Sequence, residues 1–160
     1  MLNQNINKYL IFIFFCIFIA LVSAYFIQYS LGYQPCKLCI YARIPYFIAI
    51  FLLIIILLNP KYQKTTLLIL SIVFLCGVFL SFYHFGIEQG FFTESFVCES
   101  KSLSKSLSKE QLLEQLKQNN VSCKDISFTI VGLSLATINM VLSFILSLVF
   151  LILFINYREN

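Results

Sequence analysis

The stretch "QPCKLCIYAR" (34–43) carries two thiols two residues apart, Cys36 and Cys39, and a guanidinium, Arg43, four residues after the second. A C-x-x-C alone is compatible with a redox pair, with half of a zinc site and with coincidence. Its position is more informative. The pair stands where an apolar run begins, at the N-terminal end of a helix, where unpaired backbone N–H groups and the helix dipole stabilise anions. A cysteine so placed tends toward a lowered pKa and acts as the reactive thiolate. Arg43 follows Cys39 by one helical turn, so the two can share a face. Its charge persists beside lipid and suits a thiolate or an electron-rich oxygen of a ligand. The alternative use of an arginine at a span end is as an anchor reaching lipid headgroups. The spacing to Cys39, and the cost of an unpartnered charge in the interface, favour a functional use. Pro35 is a turn former ahead of the helix.

A second thiol pair, Cys98 and Cys123, encloses 24 residues of polar sequence. As a simple staple, a disulfide closing that loop stabilises the fold by roughly 3.5 kcal/mol on the chain-entropy estimate. As a movable disulfide it makes a relay with the first pair, because thiol–disulfide exchange passes oxidising equivalents between pairs. The sole histidine, His84, lies in "YHFGIEQGFF" (83–92) with Glu88 one turn later. Ionisable groups at a span end either satisfy a loop or serve a site in the membrane. Cys16 and Cys76 fall inside apolar runs and read as small hydrophobic packing residues. Phe14, Phe15 and Phe74 read as lipid-facing or packing aromatics.

The elements that must position these groups are membrane helices. Of the 160 residues 60% are hydrophobic and 11% charged, against about 45–50% apolar for soluble chains. A spanning helix needs roughly 20 mostly apolar residues. Four stretches qualify, at about 9–29, 40–58, 66–85 and 128–155, the last long enough to tilt. "NPKYQK" (59–64) breaks the second from the third. Backbone groups in lipid must be satisfied internally, so these stretches are helices. The expectation is an all-α, four-helix membrane bundle, one domain over residues 1–160. The net charge of +4 is spread out, with no basic cluster that would fit nucleic acid.

Four spans put both termini on one side. The connections 30–39 and 86–127 then share the other side, together with Cys36, Cys39, Cys98 and Cys123. Lys8, Lys61, Lys64 and Arg158 flank the side of the termini, whereas the long loop nearly balances five lysines against six acids. Short flanks outweigh long loops in setting orientation, and paired cysteines belong in an oxidising compartment. Both arguments place the termini in the cytoplasm. A cleaved signal peptide ending near Val22-Ser23-Ala24 is the alternative for the first span, but the apolar run is longer than a usual h-region and the preceding segment offers only Lys8. In the long loop, "SKSLSKSLS" (100–108) reads as a linker. "SKEQLLEQLKQ" (108–118) reads as a short amphipathic helix on the membrane surface, with a Ser108/Gln111 capping box and Leu112, Leu113 and Leu116 on one face.

Taken together, "QPCKLCIYAR", "YHFGIEQGFF", "VSC" and "GLSLATIN" (132–139) resemble, in order from 34 to 139, the DsbB family of bacterial membrane proteins that make disulfides by reducing quinone. The resemblance implies that Cys36 and Cys39 face a quinone, ubiquinone or menaquinone, with Cys39 closest to the ring. It implies that Arg43 stabilises the Cys39 thiolate and a quinone oxygen, and that His84 and Glu88 lie at the quinone site. It further implies that Cys98 is attacked by a periplasmic DsbA-like thioredoxin-fold partner, and that Cys123 pairs with Cys98 and exchanges with Cys36. The expected home is the bacterial inner membrane. A DsbA-like partner near −120 mV needs an acceptor at higher potential, which membrane quinones supply. Two departures from the family pattern stand out. Ile138 precedes Asn139 where relatives often carry tryptophan, and Glu88 stands where some have glutamine.

Two other classes use the same residues. In a metal-binding membrane protein the cysteines and His84 would ligate zinc, and bound zinc with no disulfide would mark it. In a structural bundle the disulfides would merely staple loops, and cycling with reductant and quinone would leave thiol counts unchanged.

Overall fold

The computed structural model describes residues 2–93, 123, 129–130 and 132–157, without the side chains of 2–5 and 130. Among them four helical segments are long and apolar enough to cross a membrane: Ile6–Tyr29, Lys37–Leu58, Pro60–Glu88 and Leu135–Ile155. The elements in chain order are α1 (Leu2–Tyr29), α2 (Lys37–Tyr41), α3 (Ile44–Leu58), a 3₁₀ turn (Pro60–Tyr62), α4 (Gln63–Glu88), β1 (Thr129–Ile130), β2 (Leu133–Ser134) and α5 (Leu135–Ile155). The chain is an all-α membrane bundle with one two-residue hairpin beside it. The expected helix at 108–118 and the thiol Cys98 lie outside the described residues.

Helix ends depart from the sequence reading in several places: α1 begins at Leu2, not 9, and α4 spans Gln63–Glu88, not 66–85. The second span starts at Lys37 and is broken between Tyr41 and Ile44. Pro45 stands at the start of α3. It has no N–H to donate, and its ring crowds the carbonyl one turn back, so a continuous helix through this point is disfavoured. Arg43 therefore caps α3 instead of continuing the helix that carries Cys39. The fourth span starts at Leu135, not 128. The strands pair antiparallel, Thr129 with Ser134 and Ile130 with Leu133, and Gly132 makes the turn at φ +79°. Ser134 then caps α5 by accepting the Thr137 N–H at 3.2 Å.

Lipid offers no hydrophobic drive between helices, so close packing and buried polar contacts must hold them. The core joins Leu10, Ile17, Leu53, Leu67, Phe74 and Phe150, with Tyr46 edge-on to Phe74 and Phe74 stacked on Phe150. α4 turns one stripe inward: Ser71, Phe74, Gly77, Ser81 and His84 are all buried. Ser71 donates to the Ser147 carbonyl at 3.1 Å and Ser147 donates to the Ser71 carbonyl at 3.0 Å. Farther along, Asn139 Nδ2 donates to Ser81 Oγ at 2.5 Å. These contacts set α4 and α5 antiparallel. Tyr46 ties α3 to α5, its hydroxyl donating to Asn139 Oδ1 at 2.6 Å. At the end of the bundle where the termini lie, Gln63 donates to Asn7 at 3.4 Å. Cys16 and Cys76 are free and face outward.

Candidate functional site

At the opposite end, Cys36 is the N-cap of α2. Its backbone is extended, φ −67° and ψ 167°, and its sulfur accepts the Cys39 N–H at 3.3 Å. The C-x-x-C spacing makes this possible, because a cap side chain reaches the N–H of the third helical residue. The same turn brings the two sulfurs to 2.9 Å. That is far longer than a disulfide bond, and both thiols are free. It is also shorter than the ~3.8 Å that separates two sulfurs bound tetrahedrally to one zinc at about 2.3 Å. The two sulfurs are therefore in direct contact, close enough to pass a proton or to close a disulfide.

The negative charge belongs on Cys36. It receives the Cys39 backbone N–H and lies 3.5 Å from His84 Nε2. The Cys39 thiol, with His84 behind it, outweighs the effect of burial and holds the Cys36 thiol down at about 4, far below the usual 9.0. The shared proton therefore stays on Cys39. His84 reaches this position because it ends the inward stripe of α4. The helix closes one turn later in a double turn, with Gly90 N–H on the Ile87 carbonyl at 3.0 Å and Phe91 N–H on the Gly86 carbonyl at 2.8 Å. Gly90 sits at φ +76°, where a side chain is strained. Glu88, one turn beyond His84, places Oε1 3.6 Å from the same Nε2, and its side chain is 6% exposed. Its other oxygen, Oε2, is buried and has no hydrogen-bond partner among the described residues. Cys36, Cys39 and His84 bring three possible metal donors within 4.8 Å of one another.

Cys36 and Cys123 belong to one buried cluster with Leu38 and Ile87. Cys123 is disulfide-bonded, and its bonding partner lies outside the described residues. Nothing is described of Cys98.

Cys39 opens on the other side into a cavity of about 240 Å³ between α1, α3, α5 and the 30–36 connection. Its walls are largely apolar: Ala20, Leu21, Ala24 and Ile27 from α1, and Leu135, Ala136, Ile138 and Leu142 from α5. Gln28, Cys39, Arg43 and His84 are among its polar lining groups, and Tyr46 and Asn139 bring the α3–α5 contact to its wall. Arg43 points toward α1. Its guanidinium donates to Gln28 Oε1 at 2.6 Å and lies 4.7 Å over the Tyr25 ring. The expected pairing of Arg43 with Cys39 thus takes the form of a shared cavity wall.

Of the residues singled out from sequence, Cys36, Cys39, His84 and Glu88 come together, Arg43 joins them across the cavity and Cys123 packs behind Cys36. Gln28, Tyr25, Tyr46 and Ser81 carried no sequence signal, being ordinary span residues until neighbouring helices face them.

A curated protein of Rickettsia prowazekii (strain Madrid E), described as the uncharacterized protein RP370, is 33% identical over 144 residues, covering 89% of this chain and 83% of that protein. The family model for the disulfide bond formation protein DsbB matches residues 7–153. A membrane bundle with a thiol–thiolate pair at the mouth of an apolar cavity, matched over nearly its whole length, belongs to the DsbB family of disulfide bond formation proteins.

Proposed function

We propose that this protein is a thiol:quinone oxidoreductase that reoxidises a DsbA-like dithiol partner in the periplasm of a bacterium. The observation that carries the reading is the division of labour between the two sulfurs. Cys39 lines the apolar cavity with Arg43 and His84, while Cys36 sits behind it in the same cluster as the disulfide-bonded Cys123. One sulfur can meet a greasy oxidant from the membrane while the other exchanges with a disulfide outside.

In this reading the partner's thiolate attacks Cys98 of a Cys98–Cys123 disulfide and leaves a mixed disulfide, which the partner's second thiol resolves. With Cys36 and Cys39 joined in the disulfide that quinone reduction forms, Cys123 attacks Cys36 and releases Cys39, and Cys98 then resolves the Cys36–Cys123 bond, regenerating the outer disulfide and leaving Cys36 and Cys39 reduced. A bound quinone, ubiquinone or menaquinone, supplies the two-electron acceptor. The residues present fit such a molecule: the apolar walls suit a ring and tail, and Arg43, held by Gln28 and Tyr25, and His84 are donors for carbonyl oxygens. The protein is one membrane domain in the inner membrane with both termini cytoplasmic. This orientation turns the cysteines toward the oxidising side.

The test is reduction of a short-tailed quinone by a dithiol donor through the purified protein. Cys39→Ser is expected to abolish it, and turnover at the parental rate would overturn the reading. A dithiol partner whose second, resolving cysteine is replaced is expected to accumulate a mixed disulfide with Cys98.

A further inference from the structure

We propose that Glu88 is the transient proton acceptor at the end of a relay that empties Cys39 of its proton: Cys39 Sγ, Cys36 Sγ, His84 Nε2, Glu88 Oε1. The proposal rests on the thiol:quinone reading above and adds to it the route and the destination of the proton. The links are 2.9 Å between sulfurs, 3.5 Å from Cys36 to Nε2 and 3.6 Å from Nε2 to Oε1. One end is the sulfur on the cavity wall. The other is the Glu88 carboxylate, on a side chain 6% exposed, whose second oxygen has no partner among the described residues. A buried carboxylate left half-satisfied at the end of a membrane helix is costly unless its unsatisfied state is used. Among the described residues, the titratable groups facing it are His84 on its own helix, Cys39 from α2 and, through His84, the N-cap Cys36.

The bookkeeping closes. The reduced pair carries one proton, on Cys39, and one negative charge, on Cys36. Oxidation forms the Cys36–Cys39 bond, breaks the Cys39 S–H bond and sends two electrons to the quinone. His84 Nε2 gives its proton to Oε1 and takes the one that Cys36 has drawn from Cys39, so Glu88 becomes a carboxylic acid. The quinol needs two protons. One returns from Glu88 through His84, which also lines the cavity, and water at the outer surface supplies the second.

Glu88→Gln keeps the size and removes the proton-carrying oxygen. It is expected to lower kcat with dithiothreitol and decylubiquinone by tenfold or more, in the range of a lost proton-transfer group, with the quinone KM within twofold of parental. It is also expected to slow single-turnover oxidation of the Cys36/Cys39 pair by diamide without quinone, followed by free-thiol counting, by a similar factor, because the Cys39 proton must leave whatever the oxidant. Glu88→Asp, which keeps the carboxylate, should recover part of both rates and guards against a fold defect in the amide variant. Unchanged rates in Glu88→Gln, slowing with quinone but not with diamide, or a raised KM alone would each overturn the relay. Should the parental protein oxidise its pair with diamide at a rate dependent on Glu88 yet never reduce decylubiquinone, the relay stands and the quinone reading falls.

Discussion

His84 Nε2 lies 3.5 Å from the Cys36 sulfur, although the two residues are 48 positions apart in the chain. That contact, with the Cys39 thiol on the other side of the same sulfur, makes Cys36 the charged member of the pair. That contact has one measurable consequence, and contacts elsewhere in the bundle have three others.

The thiolate of Cys36 should titrate with a midpoint at about 4 instead of near 9.0, read from ultraviolet thiolate absorbance against pH in the reduced protein with Cys16, Cys76, Cys98 and Cys123 replaced. The sign follows from the depressed value. The thiolate's contribution to stability is complete above the unfolded value near 9.0, shrinks as pH falls and is gone below about 4. Cys39→Ser should raise the midpoint, the thiol being the largest contributor, and His84→Ala should raise it less. A parental midpoint near 9 would refute the assignment of charge to Cys36.

Arg43→Lys keeps the charge but loses the planar fork that donates to Gln28 and stacks over Tyr25. With a charged hydrogen bond worth about 1.5–3 kcal/mol, quinone KM should rise about tenfold or more. The Cys36 midpoint should not move, since neither of the two sulfurs bonds to the guanidinium. Gln28→Ala should show a weaker version of the same split.

Tyr46→Phe removes the hydroxyl that donates to Asn139 at 2.6 Å and meets Ser143 at 3.3 Å. Interhelical hydrogen bonds in membranes average about 0.6 kcal/mol and reach about 1.7. A loss near 1 kcal/mol in detergent-denaturant unfolding is expected, with helix content retained.

Gly77 faces Pro45 and Ser143, and a Cβ there would stand 3.5 Å from each. Gly77→Ala should therefore be tolerated. Gly77→Leu has to push α4 away from α3 and α5, with a loss of about 1–3 kcal/mol from overpacking, measured in the same unfolding assay. Equal stability of the two variants would mean that the helices do not meet here as described.

The sequence by itself determined the bundle and the reactive pair. Hydropathy marks a span because lipid forces backbone hydrogen bonds inside the segment, and the C-x-x-C at the start of a span is local enough for its cap geometry to follow from spacing. Even so, the second helix is interrupted ahead of Pro45 and the fourth begins at Leu135, capped by Ser134, since turn and cap chemistry overrides apolar runs at their ends. What only the tertiary structure decided is which side chains face one another: Arg43 against Gln28 and Tyr25, Tyr46 against Asn139, Cys123 behind Cys36, and His84 between a thiolate and a buried carboxylate. A run apolar on every side carries little record of which face turns inward, so these partners appear only when the helices pack.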